Sequence, residues 1–119
     1  MNSTGKFVIQ KHTKTAEEHW DLMFEAGNVL QTYRLTLPPE KLSRQKTPAT
    51  KIFAHPLKFL TYQGSVNGGK GSVKIADAGT YQLLNDDNEN QLLLLDGKTL
   101  KGKFTLTHVE DDNWRFGPC

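Results

Sequence analysis

Residues 19–35 read HWDLMFEAGNVLQTYRL, and this stretch decides the fold. Polar and apolar side chains alternate from His19 to Glu25, as is typical of a strand with one buried face. A second strand is predicted at Val29 to Leu35. The residues between them, Ala26-Gly27-Asn28, are of the kind that a tight turn requires. The stretch therefore predicts a β-hairpin.

The rest of the chain repeats this pattern of short strands and tight turns. Further strands are predicted at Lys6 to Gln10, Thr61 to Val66, Ser72 to Ala76, Gly79 to Leu84, Gln91 to Leu95, Thr99 to His108 and Trp114 to Phe116. Turns are predicted at Asn67-Gly68-Gly69, Asp77-Ala78-Gly79, Asn85-Asp86-Asp87-Asn88 and Asp96-Gly97. Pro38 or Pro39 is expected to begin a short helical turn that runs through Ser43.

Many short strands with hairpin-length connections predict a mainly β fold, either a small closed or nearly closed β-barrel or a sandwich, with a short helical segment. At 119 residues, the chain 1–119 is expected to form a single domain. No apolar run approaches the roughly 20 residues of a membrane helix, and the N-terminus lacks the plan of a signal peptide. We therefore expect a cytoplasmic protein.

The charge and cysteine content exclude few functions. The single cysteine, Cys119, leaves no internal disulfide and no cysteine-based zinc site. A net charge of +2 and a pI near 8.7 are compatible with a phosphate-bearing partner without requiring one.

Two histidines and an aspartate near the N-terminus form a candidate metal site. His19 and Asp21 are two positions apart, so their side chains share one face of a strand, and His12 on a neighbouring strand would complete the set. Imidazole and carboxylate suit a divalent transition metal, and three protein ligands leave positions open for water and substrate. The same residue types are also common on ordinary surfaces, so the pattern alone leaves both interpretations open.

The order of motifs along the chain is similar to that of a known family. The motifs are Phe7-Val8-Ile9-Gln10-Lys11-His12, His19-x-Asp21 with Leu22 and Glu25, Gly27 with Val29-Leu30, His55-Pro56-Leu57, Tyr62-Gln63-Gly64, Gly71-Ser72-Val73-Lys74-Ile75, Asp77-x-Gly79-x-Tyr81, Leu95-x-Gly97-x-x-Leu100-Lys101-Gly102 and Asn113-Trp114. In this order and at these spacings they resemble the 3′-phosphoesterase domain of bacterial DNA ligase D and its stand-alone homologues. The resemblance extends over nearly the whole chain.

The resemblance implies a manganese-dependent enzyme that heals 3′ ends by removing a terminal 3′-phosphate or 3′-ribonucleotide. By position, His12, His19 and Asp21 match the metal ligands, for Mn²⁺ or another divalent transition metal. His55 matches the histidine that contacts the reacting phosphate, so we expect it to be catalytic. The implied partners are DNA or RNA–DNA 3′ ends, together with a ligase or polymerase of end joining.

The chain also departs from the family pattern. Met23 and Phe59 stand where the resemblance implies an arginine and a tyrosine, and Leu37 and Thr47 align near an expected lysine and arginine. Phosphate-binding groups are therefore depleted. Nearby cations, Lys46, Lys51, Arg44 and Arg34, are candidates to replace them, although each is also an ordinary solvated charge. The chain has one extra residue between the first two histidines and a shortened glycine-rich segment after Gly64.

Two alternatives to an active phosphoesterase remain open. The first is a non-catalytic descendant that binds nucleic-acid ends or a repair partner through a basic face with Trp20, Tyr33 and Tyr62. The second is an unrelated metal enzyme, because His19-x-Asp21 with a distal His55 or His108 copies the two-histidine, one-carboxylate set of iron oxygenases.

Overall fold

The computed structural model describes residues 3–119, in which nine strands form one sheet. The strands are β1 (Ser3–Lys14), β2 (Glu17–Ala26), β3 (Val29–Leu35), β4 (Thr47–Pro56), β5 (Gly64–Val66), β6 (Gly71–Asp86), β7 (Asn90–Gly97), β8 (Lys101–Glu110) and β9 (Asn113–Pro118). One α-helical turn, α1 (Pro39–Leu42), and two 3₁₀ helices, Leu57–Leu60 and Asn67–Gly69, lie between strands. The predicted domain 1–119 thus includes Met1 and Asn2, which lie outside the described residues.

The sheet curls into a ring because β1, at one end of the strand order, also pairs with β6, which is next to the last strand at the other end. The strand order is β1-β2-β3-β4-β9-β8-β7-β6-β5, and β1 also pairs with β6. This last pairing is antiparallel and runs from Ser3 opposite Leu83 to Thr13 opposite Ser72. The prediction of a mainly β, nearly closed barrel is confirmed.

The two faces of β1, β2 and β3 pack against different groups of apolar side chains. One face contributes to the larger core, which includes Phe7, Ile9, Leu22, Phe24, Tyr33, Leu35, Leu93, Leu95, Phe104, Leu106 and Phe116. The opposite face carries a smaller cluster of Val8, Met23 and Leu30, packed against Leu57, Phe59, Leu60 and Ile75. Every second side chain of a strand points to the same face. The polar residues two and four positions after Val8 in β1, and two and four positions before Met23 in β2, therefore lie on the same face as the smaller cluster.

The fourth strand, β4, was not predicted from the sequence. Its segment contains Pro48 and Pro56 and has no regular alternation, so its local pattern does not indicate a strand. In the structure β4 pairs with β3 on one side and with β9 on the other. These distant partners, which the local sequence does not reveal, provide its hydrogen bonds.

The prediction of two strands separated by a turn at Asp77-Ala78-Gly79 was wrong. The segment belongs to one long strand, β6, whose pairing with β1 shifts register where Ile9 and Gln10 face Asp77 and Ile75. Asp77 is buried and accepts hydrogen bonds from the backbone N–H groups of Lys98, Thr99 and Leu100. The turn-like composition therefore serves a contact with the β7–β8 loop.

Gly79 is required at this point by the close approach of β7. A Cβ atom at Gly79 would lie 1.9 Å from the carbonyl oxygen of Asp96, so only glycine fits there. The motif Asp77-x-Gly79 thus joins β6 to β7 by packing, and its residue types have a structural explanation.

The helical segments partly match the sequence-based predictions. α1 begins after Pro38, with Pro39 in its first turn, as predicted. The strand predicted at Thr61 to Val66 is shorter, because β5 contains only Gly64–Val66. Of the helices in residues 3–119, none is long and apolar enough to cross a membrane.

Candidate metal centre and phosphate pocket

The β1–β2 hairpin brings the three predicted metal ligands together. His12 and His19 face each other directly across the two strands, and Asp21 lies two positions further along β2, opposite Gln10. One ligand atom from each residue lies within 4.8 Å of the others. In the part of the chain that the structure describes, this is the only such cluster of three metal-binding side chains. The turn at Thr15 and Ala16 lies beyond this pairing, so its length does not alter the register at the ligands.

The spacing of the two imidazoles fits a shared cation. His12 Nδ1 and His19 Nε2 are 3.0 Å apart. In the structure this distance is that of a hydrogen bond between the two rings. The two nitrogens are close enough together that both would be available to one ion, which would replace this hydrogen bond.

The surroundings of His19 favour its neutral form. Burial lowers the pKa of His19, and the nearby Arg34 and His12 lower it further, while Asp21 opposes them. A histidine must be neutral to bind a metal, since protonation removes the lone pair. The site thus holds His19 in the form that a metal ligand needs.

Asp21 supplies a buried carboxylate oxygen with no hydrogen-bond partner among the described residues. Its Oδ1 atom lies 3.6 Å from His19 Nε2 and 3.6 Å from Arg34 Nε, beyond normal hydrogen-bond distance in both cases. Within residues 3–119, His12 Nε2 is also buried without a partner. Buried polar atoms are usually satisfied, so the unpartnered Oδ1 of Asp21, beside His12 and His19, indicates that the site accommodates a further group.

An irregularity in β4 brings His55 to the side of the sheet that carries His12 and Asp21. Leu30 is opposite His55, whereas Thr32, two residues on, is opposite Ile52, so β4 contains one extra residue here. Such bulges re-aim side chains and are frequent beside active sites. The bulge places His55 Nδ1 2.9 Å from Thr32 Oγ1 and 3.1 Å from the carbonyl oxygen of Phe53.

These contacts determine which nitrogen of His55 carries a proton. The Thr32 hydroxyl donates its own hydrogen to the carbonyl oxygen of Leu30, 3.0 Å away, so towards His55 it acts as an acceptor. The carbonyl oxygen of Phe53 is an acceptor as well. His55 Nδ1 therefore carries the hydrogen, and Nε2 is left to interact with a ligand.

A pocket of about 260 Å³ joins the ligand cluster to His55. Its lining includes Gln10, His12, Asp21, Arg34, Phe53, His55, Pro56, Phe59, Val66, Asn67 and Val73. Arg34 is opposite Asp21 in the β2–β3 pairing, and its side chain is 46% exposed. A negatively charged group in this pocket would meet a cation at one end and an imidazole at another.

The sequence departs from the family pattern at two apolar residues, of which Phe59 lines the pocket and Met23 does not. Met23 is fully buried in the smaller cluster, and Phe59 packs against the same cluster from the 3₁₀ helix. Gln10 fixes this helix, because its Nε2 donates to the carbonyl oxygens of Phe59 and Tyr62 at 2.8 and 3.0 Å. Phe59 therefore gives the pocket an apolar boundary, whereas Met23 lies within the smaller cluster, and neither side chain contributes a charge.

The structure separates the candidate phosphate-binding cations. Arg34 lines the pocket. Lys46 instead donates to Thr105 Oγ1 at 3.0 Å, and Lys51 is opposite Tyr33, a residue of the larger core. Within residues 3–119, neither lysine is among those that line the pocket around His12 and Asp21.

The remaining candidates lie away from the ligand cluster. His108 contacts Glu89 and Asp111, so it does not complete an oxygenase-like set with His19 and Asp21. Tyr33 is buried, and Trp20 packs against the larger core. These two aromatic side chains therefore do not form the exposed stacking surface considered from the sequence.

Three residues that shape the site were not predicted from the sequence: Gln10, Thr32 and Phe53. Gln10 and Thr32 follow from strand alternation, because each lies on the same face as a predicted site residue, His12 and Arg34 respectively. Phe53 had no comparable signal, since β4 itself was not predicted and the bulge depends on pairing with β3.

Comparison with known proteins adds an independent observation. Residues 10–108 match the family model described as the DNA ligase D 3′-phosphoesterase domain. The chain is also 28% identical to the multifunctional non-homologous end joining protein LigD of Pseudomonas aeruginosa, in an alignment 115 residues long that covers 88% of this chain. The alignment spans only 14% of that relative, so most of the relative's length has no counterpart in the match.

Proposed function

This chain belongs to the DNA ligase D 3′-phosphoesterase domain family, and on that premise we propose that it is a divalent-metal-dependent phosphoesterase that heals DNA 3′ ends. Its substrates are DNA or RNA–DNA strands that end in a 3′-phosphate or a 3′-terminal ribonucleotide. Mn²⁺ is the proposed metal, and a ligase or polymerase of end joining would act on the healed end.

The observation that carries the proposal is the arrangement of His12, His19 and Asp21 beside His55. Three ligand atoms lie within 4.8 Å of one another, and His12, Asp21 and His55 line one pocket. A cation site without a pocket would be compatible with a purely structural metal. A cation site that shares a pocket with an imidazole and Arg34 supports chemistry on an anionic substrate.

The residues present fit a divalent transition metal. Two nitrogens and one carboxylate oxygen are ligand types that manganese, iron, cobalt and zinc accept, and the unpartnered Oδ1 of Asp21 has no competing hydrogen bond among the described residues. When bound by these residues, the ion would supply charge neutralisation at a phosphate oxygen and lower the pKa of a coordinated water.

Arg34 provides the second positive charge of the pocket. Its guanidinium group lies near Asp21 and is partly exposed, so it is available to donate hydrogen bonds to a phosphate oxygen. Met23 and Phe59 supply no charge, and Arg34 is the one arginine or lysine among the described residues that line the pocket, which makes it the main side-chain cation for binding the phosphate.

In this proposal His55 donates a proton to the leaving oxygen. Its Nδ1–H is held by Thr32 and the carbonyl oxygen of Phe53, so protonation of the ring places the second proton on Nε2. An imidazolium Nε2–H hydrogen-bonds a phosphate oxygen and can transfer its proton when the bond to the 3′-oxygen breaks. Thr32 therefore acts on the reaction by orienting His55.

Binding without hydrolysis is the second candidate function. The apolar residues Met23 and Phe59 favour it, because a missing donor to a developing charge typically lowers a rate by about 100- to 1000-fold. Such a protein would hold a 3′ end without releasing phosphate.

The decisive experiment measures release of phosphate or ribonucleoside from a primer-template strand that ends in a 3′-phosphate or a 3′-ribonucleotide. We expect cleavage that requires manganese and falls by at least about 100-fold in His55→Ala. His108→Ala is the matched control, because His108 lies outside the pocket among the described residues and should retain wild-type turnover.

Two results would contradict the proposal. Equal turnover by the wild-type protein and His55→Ala would remove His55 from the chemistry. Tight manganese and DNA binding with no product would exclude hydrolysis of these ends and favour the binding module.

A further inference from the structure

Phe53 is an apolar side chain that the fold leaves in water. It is 76% exposed, more than the other large exposed apolar residues of the described chain, Leu84, Leu94 and Val109. Single exposed apolar side chains are ordinary on protein surfaces, so exposure alone carries no function. The position of Phe53 is the informative observation.

The ring of Phe53 lies flat against the ring of His55. Their centroids are 4.8 Å apart and their planes differ by 14°. His55 also meets the ring of Phe59 edge-on, with centroids 5.6 Å apart. The three rings form an aromatic wall, defined here as Phe53, His55 and Phe59, and Phe53 is its outermost member.

This wall lines the same pocket as Arg34 and the metal-ligand candidates. The pocket thus has a charged part, which suits a phosphate, and an aromatic part that ends in an exposed ring. A nucleotide has the same two parts, because its base is a flat aromatic ring system connected through the sugar to the phosphate. Bases of every kind stack on exposed aromatic side chains.

We propose that Phe53 is the platform on which the terminal base of a 3′-end strand stacks while the phosphate occupies the charged part of the pocket. This inference rests on the proposed function and adds a recognition element for the last nucleoside. One face of the Phe53 ring is covered by His55, and the exposed remainder receives the base. The contact is independent of base identity and contributes to binding.

A structural role for Phe53 predicts a different behaviour. If Phe53 only supports His55, its removal affects every substrate equally, whether or not the substrate has a terminal base. If Phe53 stacks the base, its removal affects only substrates that have one. A pair of strands that differ only in this base separates the two roles.

The experiment measures dissociation constants by fluorescence anisotropy, in EDTA, for two 5′-labelled strands with a 3′-phosphate. One strand carries a normal terminal nucleotide and the other an abasic one. We expect the wild-type protein to prefer the base-bearing strand by roughly 5- to 100-fold. Phe53→Ala should abolish most of this preference, and Phe53→Trp should retain it. Val109→Ala, which truncates another exposed apolar side chain, should leave it unchanged.

The same variants are then assayed for product release with manganese, which distinguishes failure of the two proposals. Phe53-dependent preference without turnover would support stacking and contradict hydrolysis. Turnover with equal affinity for both strands would support hydrolysis and overturn stacking. A Phe53→Ala variant that weakens both strands equally would also overturn stacking, and absence of binding and turnover would overturn both proposals. Unchanged thermal unfolding of Phe53→Ala verifies that the variant is folded.

Discussion

Asp21 and Asp77 are two buried carboxylates with opposite surroundings. Asp77 is 3% exposed and accepts four backbone hydrogen bonds, from Ala78, Lys98, Thr99 and Leu100, at 2.7 to 3.1 Å. Asp21 is 6% exposed, and its Oδ1 has no hydrogen-bond partner within residues 3–119. The first carboxylate is satisfied by the protein and maintains the fold. The second is left unsatisfied, as expected for a residue whose partner is a ligand.

The largest effect is expected from a substitution of Asp21. Asp21→Asn keeps the shape of the side chain but removes its charge, so we expect manganese affinity to fall by at least about 100-fold. The free energy of unfolding of the metal-free protein should change by less than about 1 kcal/mol, because Oδ1 makes no hydrogen bond to lose. Isothermal titration with manganese and urea unfolding measure the two quantities.

Glu18→Gln on the same strand is the matched control for Asp21→Asn. Glu18 pairs with Lys11 at the surface and should affect neither manganese affinity nor stability appreciably. Unchanged manganese binding by Asp21→Asn would remove Asp21 from the metal site.

At Asp77 we expect the opposite result, a loss of stability with little direct effect on metal affinity. In Asp77→Asn the amide group faces at least one backbone N–H that the carboxylate accepted, and the charge that strengthened these bonds is lost. The free energy of unfolding should fall by about 2–3 kcal/mol. Urea unfolding of Asp77→Asn beside Asp96→Asn, an exposed carboxylate paired with Lys101, measures the difference. Equal stability of the two variants would show that the Asp77 hydrogen bonds are dispensable.

Thr32 sharpens the comparison, because it is a buried polar residue that serves the site through another side chain. Thr32→Val removes one of the two acceptors at His55 Nδ1, so the ring is less firmly held with Nε2 free. We expect kcat to fall by about 10-fold with little change in KM. NMR of the imidazole nitrogens should show the Nδ1–H form of His55 in the wild-type protein and a mixture in the variant. An unchanged spectrum would show that Thr32 does not orient His55. Thr80→Val, at an exposed position of β6, is the control.

The smallest expected effect concerns His108. Both of its ring nitrogens have hydrogen-bond partners in the protein, as the carboxylate oxygens of Asp77 do. The backbone carbonyl of Asp111, then Glu89, raise the pKa of His108. The folded protein therefore binds the proton more tightly than the unfolded chain does. The resulting stabilisation is fully present below the ordinary histidine pKa and is lost as pH rises through the raised value. Thermal unfolding as a function of pH should show this loss in the wild-type protein and a smaller one in His108→Gln. Identical pH profiles would contradict the assignment.

The parts of the fold that were predicted are those whose pattern is local. β2 and β3 alternate and are joined by a turn at Gly27, so their pairing follows from adjacent residues. β4 was missed, and β6 was divided in two, because both depend on distant partners. Asp77-Ala78-Gly79 has the composition of a turn, yet it bonds to Lys98–Leu100 and packs against Asp96. Sequence composition alone does not distinguish these uses of aspartate and glycine.

The candidate site divides in the same way. His12, His19 and Asp21 lie on one hairpin, so spacing and alternation were sufficient to group them. His55 was identified by the family resemblance, whereas its orientation by Thr32 and its contact with Phe53 required the β4 bulge. Lys46 and Lys51 were candidates as well as Arg34, and the sequence did not indicate which of these positive charges faces the pocket. That depends on strand pairing, which places Arg34 opposite Asp21.

Because the sheet closes into a ring through a long-range pairing, its regions can form at different stages of folding. The ligand cluster needs only the β1–β2 hairpin, in which His12 faces His19, and hairpins form within about 1–10 μs. Pairing of β1 with β6 joins Gly5 to Tyr81, and such long-range contacts form slowly because a long loop must first close. The three ligands can therefore meet in a chain whose ring is still open.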